Sequence, residues 1–440
     1  MGKFQLYADY RDSGIEWAPD CPIDWDVVPT FAACVENRRT NTAGAIDNVL
    51  SLSYGRIVRR DVETNFGLLP ESFNTYQIVQ PGYVVMRLTD LQNDKRSLRV
   101  GFVEERGVIT SAYLGLQFNQ RFDTKFAYYL LHAYDLYKVY YGMGGGLRQT
   151  MKFSDLKWLP LFCPSRLEQE NIAAFLDHET AKIDRLIAKQ ERLIDLLKEK
   201  RQAVISHAVT KGLYPDAPMR DSGVEWLGEV PAHWASKALK HFIEHTVDNR
   251  GRTPPLSNNG IPMLEAKQIE GDSLFAADKF EKYISQEAYD QFVRSDIKEN
   301  DILFVTVGSI GKACLVPRNP RFFIAQNIVG FRANGISDPW YLLFLFRSNS
   351  FKQALAATNK LAILDSTKVS DLVQVSVTSP PIDEQIAIGQ YLRDSEIKFS
   401  RLGRKLYKAK SLLLEHRSAL ISSAVTGKID VRGWQKPRNE

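Results

Sequence analysis

Apolar positions recur at alternating steps of three and four through Ile183, Leu186, Gln190, Leu193, Leu197 and Val204, with Lys200 interrupting the run. The same rhythm returns through Phe399, Leu402, Leu406, Ala409, Leu413 and Leu420. This is the period of a helix with one apolar seam on an otherwise charged rod. Both starts are marked. Ser165 with Glu168 three residues on forms a capping-box pattern after Pro164, and Pro380-Pro381 with Asp383 opens the second segment.

The two predicted helices are copies of one another. Residues 164–210 align without a gap on 380–426 at an offset of 216, with 19 of 47 positions identical, including Glu168/Glu384, Gln169/Gln385, Leu186/Leu402 and Arg201/Arg417. Upstream, Arg11-Asp12-Ser13-Gly14, Glu16-Trp17 and Trp25 match Arg220-Asp221-Ser222-Gly223, Glu225-Trp226 and Trp234 at an offset of 209. Such a chain is read as one unit used twice. Two matching seams in one chain favour mutual pairing, since each buries the other's stripe, over the plainer reading that each helix packs on its own globule.

Between lead and helix the copies diverge. Residues 26–163 and 235–379 share almost no identity until Ser154-Asp155-Leu156, which matches Ser370-Asp371-Leu372. Both contain short β-rich runs, such as residues 75–88 and 300–317, broken by Gly, Pro, Asn and Asp, and then one helical patch, 126–141 or 339–357. The expected fold class is α+β. It comprises two α+β globules separated by two long helices forming an antiparallel coiled coil, a pseudo-two-fold tandem repeat. The expected boundaries are 1–163 and 214–379 for the globules, 164–213 and 380–428 for the helices, and 429–440 for a tail.

Length and composition bound the class. At 440 residues with 25% charged and 11% aromatic side chains, the chain holds two or three cored domains and is neither disordered nor fibrous. A net charge of +5 permits a nucleic-acid partner without demanding one. Cys21, Cys34, Cys163 and Cys314 are scattered without a CxxC pair, which points to a reducing compartment and away from a zinc site or disulfide framework. No apolar run reaches the ~18 residues of a membrane span, and the N-terminus lacks a signal-peptide core, so a soluble, cytoplasmic protein is expected.

Several catalytic look-alikes fail on their residues. Val307-Gly308-Ser309-Ile310-Gly311-Lys312-Ala313 has the Gly-Lys of a phosphate loop, but Thr306 replaces the first Gly and Ala313 the magnesium-binding Ser/Thr. A tight turn between strands is expected there. Asn319 to Phe322 and Ser379 to Ile382 approach the Asn-Pro-Pro-Tyr motif of amino-methyltransferases, but the first lacks the second Pro and the second lacks the aromatic. His178, His207 and His416 form no HxxxH pair.

Together, the Trp-bearing lead, the variable domain, the helix opened by Glu168-Gln169 or Glu384-Gln385, and the closing blocks Lys200-Arg201 to Thr210 and His416-Arg417 to Thr426 resemble the specificity subunits of type I restriction-modification enzymes. The resemblance covers essentially the whole chain. It implies two target-recognition domains and a non-catalytic subunit that binds double-stranded DNA, two modification subunits and, for restriction, two motor-nuclease (translocase) subunits. S-adenosylmethionine, ATP and magnesium are then expected on the partners, with no cofactor and no metal in this chain. The competing readings are a stand-alone DNA methyltransferase or nuclease, which needs a catalytic constellation not found, and a coiled-coil adaptor, which needs no diverged globules.

Helix length agrees with a two-site reader. Ile183 to Val209 spans 27 residues, ~40 Å at the α-helical rise. Successive major grooves on one duplex face lie about 34–36 Å apart, so a split target around an unread spacer is expected. Candidate DNA contacts are Arg148, Gln149 and Lys152 beside the Gly-rich stretch 142–146, Arg250 and Arg252 in a basic loop, and Lys360 and Lys368 before Ser370. Arginine pairs bidentately with guanine and glutamine with adenine, while glycine lets backbone approach closely. Surfaces for two identical partners should occur twice. That places candidate partner contacts on Trp17, Trp226, Glu168, Gln169, Glu384, Gln385, Arg201 and Arg417, unless the fold itself requires the repetition. A fragment ending near Gly212 is expected to self-associate and read a palindromic half-site.

Overall fold

The low-identity middles of the two copies share one strand plan. In the first, a four-stranded antiparallel sheet runs in the order Cys34–Glu36, Leu114–Phe118, Val84–Met86, Val100–Phe102. In the second, Ile243–Val247, Ile328–Ala333, Ile302–Val305 and Ala313–Leu315 take the same order, first, fourth, second, third in the chain. In this computed structural model the chain divides into two units, residues 1–190 with 409–440, and residues 191–408. The structure describes residues 5–437 apart from 63–69, 71, 95–96, 144–149, 252, 271–272, 277–278 and 359–365.

A helix follows the fourth strand in each unit. Thr124–Leu136 is capped by Asp123, whose carboxylate accepts from Phe126 N–H at 2.9 Å, and Pro339–Arg347 by Asp338, which accepts from Tyr341 N–H at 2.8 Å. The patches expected as single helices are broken. Lys138 takes a left-handed conformation (φ 59°) and starts a 3₁₀ turn, Val139–Gly142. Ser348 leaves the helix in extended conformation and its hydroxyl accepts from Phe351 N–H at 3.1 Å, restarting a helix at Asn349. A hydroxyl competing for backbone amides makes that break; apolar periodicity does not register it.

Each unit then closes on its lead. Strand Pro160–Cys163 pairs with Asp26–Pro29, and Ser376–Ser379 with Ala235–Ala238. The residues 307–313 form a turn joining Ile302–Val305 to Ala313–Leu315, as the failed phosphate-loop pattern implies. Cores form between sheet and helix. In the first unit Phe126, Leu130 and Tyr134 pack with Val84 and Leu116; in the second Tyr341, Leu345 and Phe346 pack with Phe304 and Phe331.

The long helices span Arg166–Lys211 and Ile382–Val425. Their seam differs from the predicted one. Ile183 and Ile194 are buried and Ile187 half-buried, whereas Leu186, Leu193 and Leu402 are 48%, 46% and 46% exposed. Adjacent apolar residues both satisfy the period, and packing selects one of them. In the first unit Ile172 and Phe175 share a core with Leu420, Ile421 and Ala424. In the second, Ile205 and Val209 share one with Ile388 and Leu392. Each unit therefore contains part of both helices.

Candidate nucleic-acid interface

The repeated residues at the helix starts build the frame of each unit. Glu168 Oε1 accepts from Trp25 Nε1 at 3.0 Å and from Tyr7 OH at 2.5 Å. In the second unit Glu384 Oε2 accepts from Trp234 Nε1 at 2.9 Å, and Oε1 meets His233 Nε2 at 2.6 Å. Burial first, and then the Glu168 hydrogen bond, raise the Tyr7 phenol far above its ordinary pKa. Gln169 Oε1 accepts from Asp123 N–H at 2.8 Å while its amide donates to Pro164 O at 2.9 Å; Gln385 does the same with Asp338 at 3.1 Å and Pro380 at 3.0 Å. The repeated glutamine thus positions the aspartate that caps each globule's helix.

The same tryptophans meet the end of the other long helix. A Cβ on Gly427 would lie 3.3 Å from Trp25 Cη2, and one on Gly212 would lie 3.2 Å from Trp234 Cζ2. Both glycines have positive φ, 73° and 77°, as a helix end in left-handed conformation requires. The Arg-Asp-Ser-Gly leads are turns: Asp12 Oδ1 accepts from Gly14 N–H at 2.9 Å and Asp221 Oδ1 from Gly223 N–H at 3.0 Å. Trp17 packs on Tyr134 and Tyr137, each 4.7 Å between ring centroids, and Trp226 Nε1 donates to Ser376 O at 3.4 Å.

The two repeated arginines meet acids on the other helix. Arg417 Nε donates to Asp184 Oδ1 at 2.9 Å, and Arg201 Nε to Glu396 Oε2 at 2.8 Å. The acids are not equivalent by sequence, since the counterpart of Glu396 is Thr180 and that of Asp184 is Ser400. All eight candidate partner residues thus make contacts inside their own unit, and these contacts give the repetition a structural cause.

Three of the seven candidate DNA contacts are described. Lys152 is exposed and lines an open cleft of about 620 Å³ with Lys157, Ser111, Thr150 and the pair Arg38–Glu36, in which Arg38 Nε donates to Glu36 Oε2 at 3.1 Å. Lys368 is exposed before the short helix Val369–Leu372, and the neighbouring Thr367 N–H donates to Thr306 O at 2.9 Å. Arg250 is turned onto Asp248, with Nε to Oδ1 at 2.8 Å and Nη2 to Oδ2 at 2.6 Å. That hydrogen bond holds the Asp248 carboxyl below its ordinary range. Arg148, Gln149, Arg252 and Lys360 lie outside the described residues. Arg38 and Lys157 join the Lys152 cleft only through tertiary structure, because no local pattern links position 38 to 152. Lys152 and Lys157 with hydroxyls on one open surface suit phosphate and base-edge contacts, while Arg38 is held by Glu36.

No family model matches the chain. It is 22% identical over 292 residues to a putative type I restriction enzyme MjaX specificity subunit of Methanocaldococcus jannaschii, covering 65% of this chain and 63% of that one. It is 29% identical over 235 residues to the EcoBI specificity subunit of Escherichia coli, covering 52% and 49%. The matches thus span about half to under two thirds of the length of these relatives. In fold it matches a chain from a structure of complex assembly and conformational transition in the type I R-M system, with TM-score 0.69, 15% identity, and coverage of 93% and 99%. No helix among the described residues is long and apolar enough to cross a membrane. The resemblance carried by the duplicated helices therefore stands: this chain is similar to type I restriction enzyme specificity subunits and shares its fold with a component of a type I R-M system.

Proposed function

We propose that this chain is the non-catalytic DNA-specificity subunit of a type I restriction-modification enzyme. Two target-recognition globules read the halves of a bipartite site, and the long helices pair antiparallel as a coiled coil that sets the unread spacer. Lys152 with its cleft serves the first half-site and Lys368 the second. Arg148, Gln149, Arg252 and Lys360 add base or phosphate contacts. Two modification subunits, and restriction subunits when present, assemble on the chain and bring S-adenosylmethionine, ATP and magnesium.

The observation that carries this reading is the twofold junction at Trp25 and Trp234. In each unit one tryptophan bonds the start of one long helix and touches the end of the other. That arrangement is what antiparallel pairing requires, and it recurs around sheets of equal strand order whose sequences have diverged. Leu186 and Leu402, identical between copies yet exposed, supply twice-repeated apolar contacts for identical partners. Methylome sequencing of a host with and without the gene tests the proposal. A split motif that disappears with the gene is expected, and a contiguous motif or an unchanged methylome overturns it. Transfer of label from S-adenosylmethionine to DNA by the purified chain alone would instead favour a methyltransferase.

A further inference from the structure

A pocket of about 260 Å³ in the second unit is lined by Lys198, Arg201, Lys312, Arg347 and Lys352, and no carboxylate is among its lining residues. The two cations from the long helix have acidic neighbours outside the wall. Arg201 is paired with Glu396, and Lys198 Nζ lies 3.2 Å from Asp195 Oδ1. The other three come from the globule. Arg347 is 6% exposed and donates through Nε to Ala313 O at 2.9 Å. Lys352 lines the same pocket, and desolvation followed by the charge of Arg347 lowers the pKa of its ammonium. Arg347 Nη2 also donates to Ala313 O at 2.6 Å and to Ser273 O, so Lys312 and Lys352 are the cations that the pocket offers to an entering anion.

Lys312 belongs to the turn whose sequence imitates a phosphate loop. The amides of that turn point back into it: Gly311 N–H donates to Val305 O at 3.3 Å and Ile310 N–H to Gly308 O at 2.9 Å. An amide cradle of the P-loop kind is therefore absent from these positions, and the turn offers a side chain instead. Gly311, at φ 86°, lets the Lys352 stem run alongside, with Cε 3.8 Å from where a Cβ would be. We propose that this pocket is a phosphate-binding site whose cationic ligands are Lys312 and Lys352.

Among the described residues the first unit offers no equivalent. Nine residues after the capping Asp338 stands Arg347, whereas nine after Asp123 stands His132, fully buried. The first unit's cleft beside its long helices, about 520 Å³, mixes Arg56, Lys125 and Arg417 with Glu104, Asp177 and Asp184. Among the described residues, the charged side chains lining the second unit's pocket are all cationic.

The phosphate comes either from the DNA backbone or from a free anion, and the DNA source rests on the function proposed above. The full chain and its Lys312→Gln, Lys352→Gln double variant are compared in two assays. In the first, melting is followed in inorganic phosphate against chloride at equal ionic strength. Stabilisation of the parent that the double variant lacks assigns a free-anion site. In the second, duplex binding is followed against salt. A log–log slope reduced by about 1, with sequence preference unchanged, assigns a backbone phosphate. Equal behaviour of parent and variant in both assays overturns the site. A parent without sequence-specific duplex binding overturns the proposed function and leaves the first assay to decide the pocket.

Discussion

Trp25 Nε1 donates to Glu168 Oε1 at 3.0 Å across 143 positions of sequence, and Trp234 Nε1 repeats the bond to Glu384 Oε2 at 2.9 Å. Both indoles are 1% exposed. One buried pair therefore ties each lead to a long-helix start, and the helix fixes the capped helix of the globule through the adjacent glutamine.

Replacing Glu168 with alanine leaves the Trp25 indole and the Tyr7 hydroxyl without their acceptor inside the fold. A loss of about 1–3 kcal/mol is expected. Glu168→Gln, which keeps an acceptor oxygen, should lose less. Urea unfolding monitored by tryptophan fluorescence measures both, and equal stability of the alanine variant and parent would refute the role.

Glu396 is 2% exposed and faces Arg201. Arg201→Ala strands a buried carboxylate and should cost roughly 3–5 kcal/mol, whereas the double change with Glu396→Leu should recover most of the loss. A double-mutant cycle in denaturant reads this directly.

His132 is 2% exposed, and neither ring nitrogen has a hydrogen-bond partner among the described residues. Burial, followed by the charges of Arg417 and Lys138, lowers its pKa from 6.5 to about 3. The folded state thus keeps the ring neutral while the unfolded state binds a proton below pH 6.5. Stability is fully present above 6.5 and falls as pH drops towards 3, by at most about 1.4 kcal/mol per pH unit from this group. His132→Phe should flatten that decline. Unfolding midpoints at pH 7 and pH 4.5 test it, and parallel losses in parent and variant would exclude His132 as the cause.

Gly427 sits at φ 73°, and a Cβ there would fall 2.3 Å from Pro22 Cδ. Gly427→Ala should destabilise the first unit by roughly 1–3 kcal/mol through strain and overlap. Gly433, which has open space around it, should tolerate alanine with little change. Thermal melting of the two variants makes the comparison.

A fragment of residues 1–212 lacks Leu420, Ile421 and Ala424, which complete the core around Ile172 and Phe175. Its own helix end carries the equivalent residues Val204, Ile205 and Ala208. Two fragments can complete one another by a symmetric exchange, so a dimer is expected by sedimentation. A monomer at high concentration would contradict the equivalence of the two copies.

The sequence by itself determined the duplication, the two long helices with their starts, the α+β character of the middles and the strand-to-strand turn at 307–313. These are local or self-similar signals: caps, period, and identity at a constant offset. Tertiary structure alone decided which of two adjacent apolar residues enters each seam, so that Ile187 and Ile194 turn inward while Leu186 and Leu193 stay exposed. It also decided that unrelated strands adopt one order, that Arg250 is taken by Asp248, and that cations from three distant stretches of sequence, 198–201, 312 and 347–352, line one pocket. Periodicity states that a residue has a buried face to offer; the partner for that face arrives from distant sequence, and only packing chooses it.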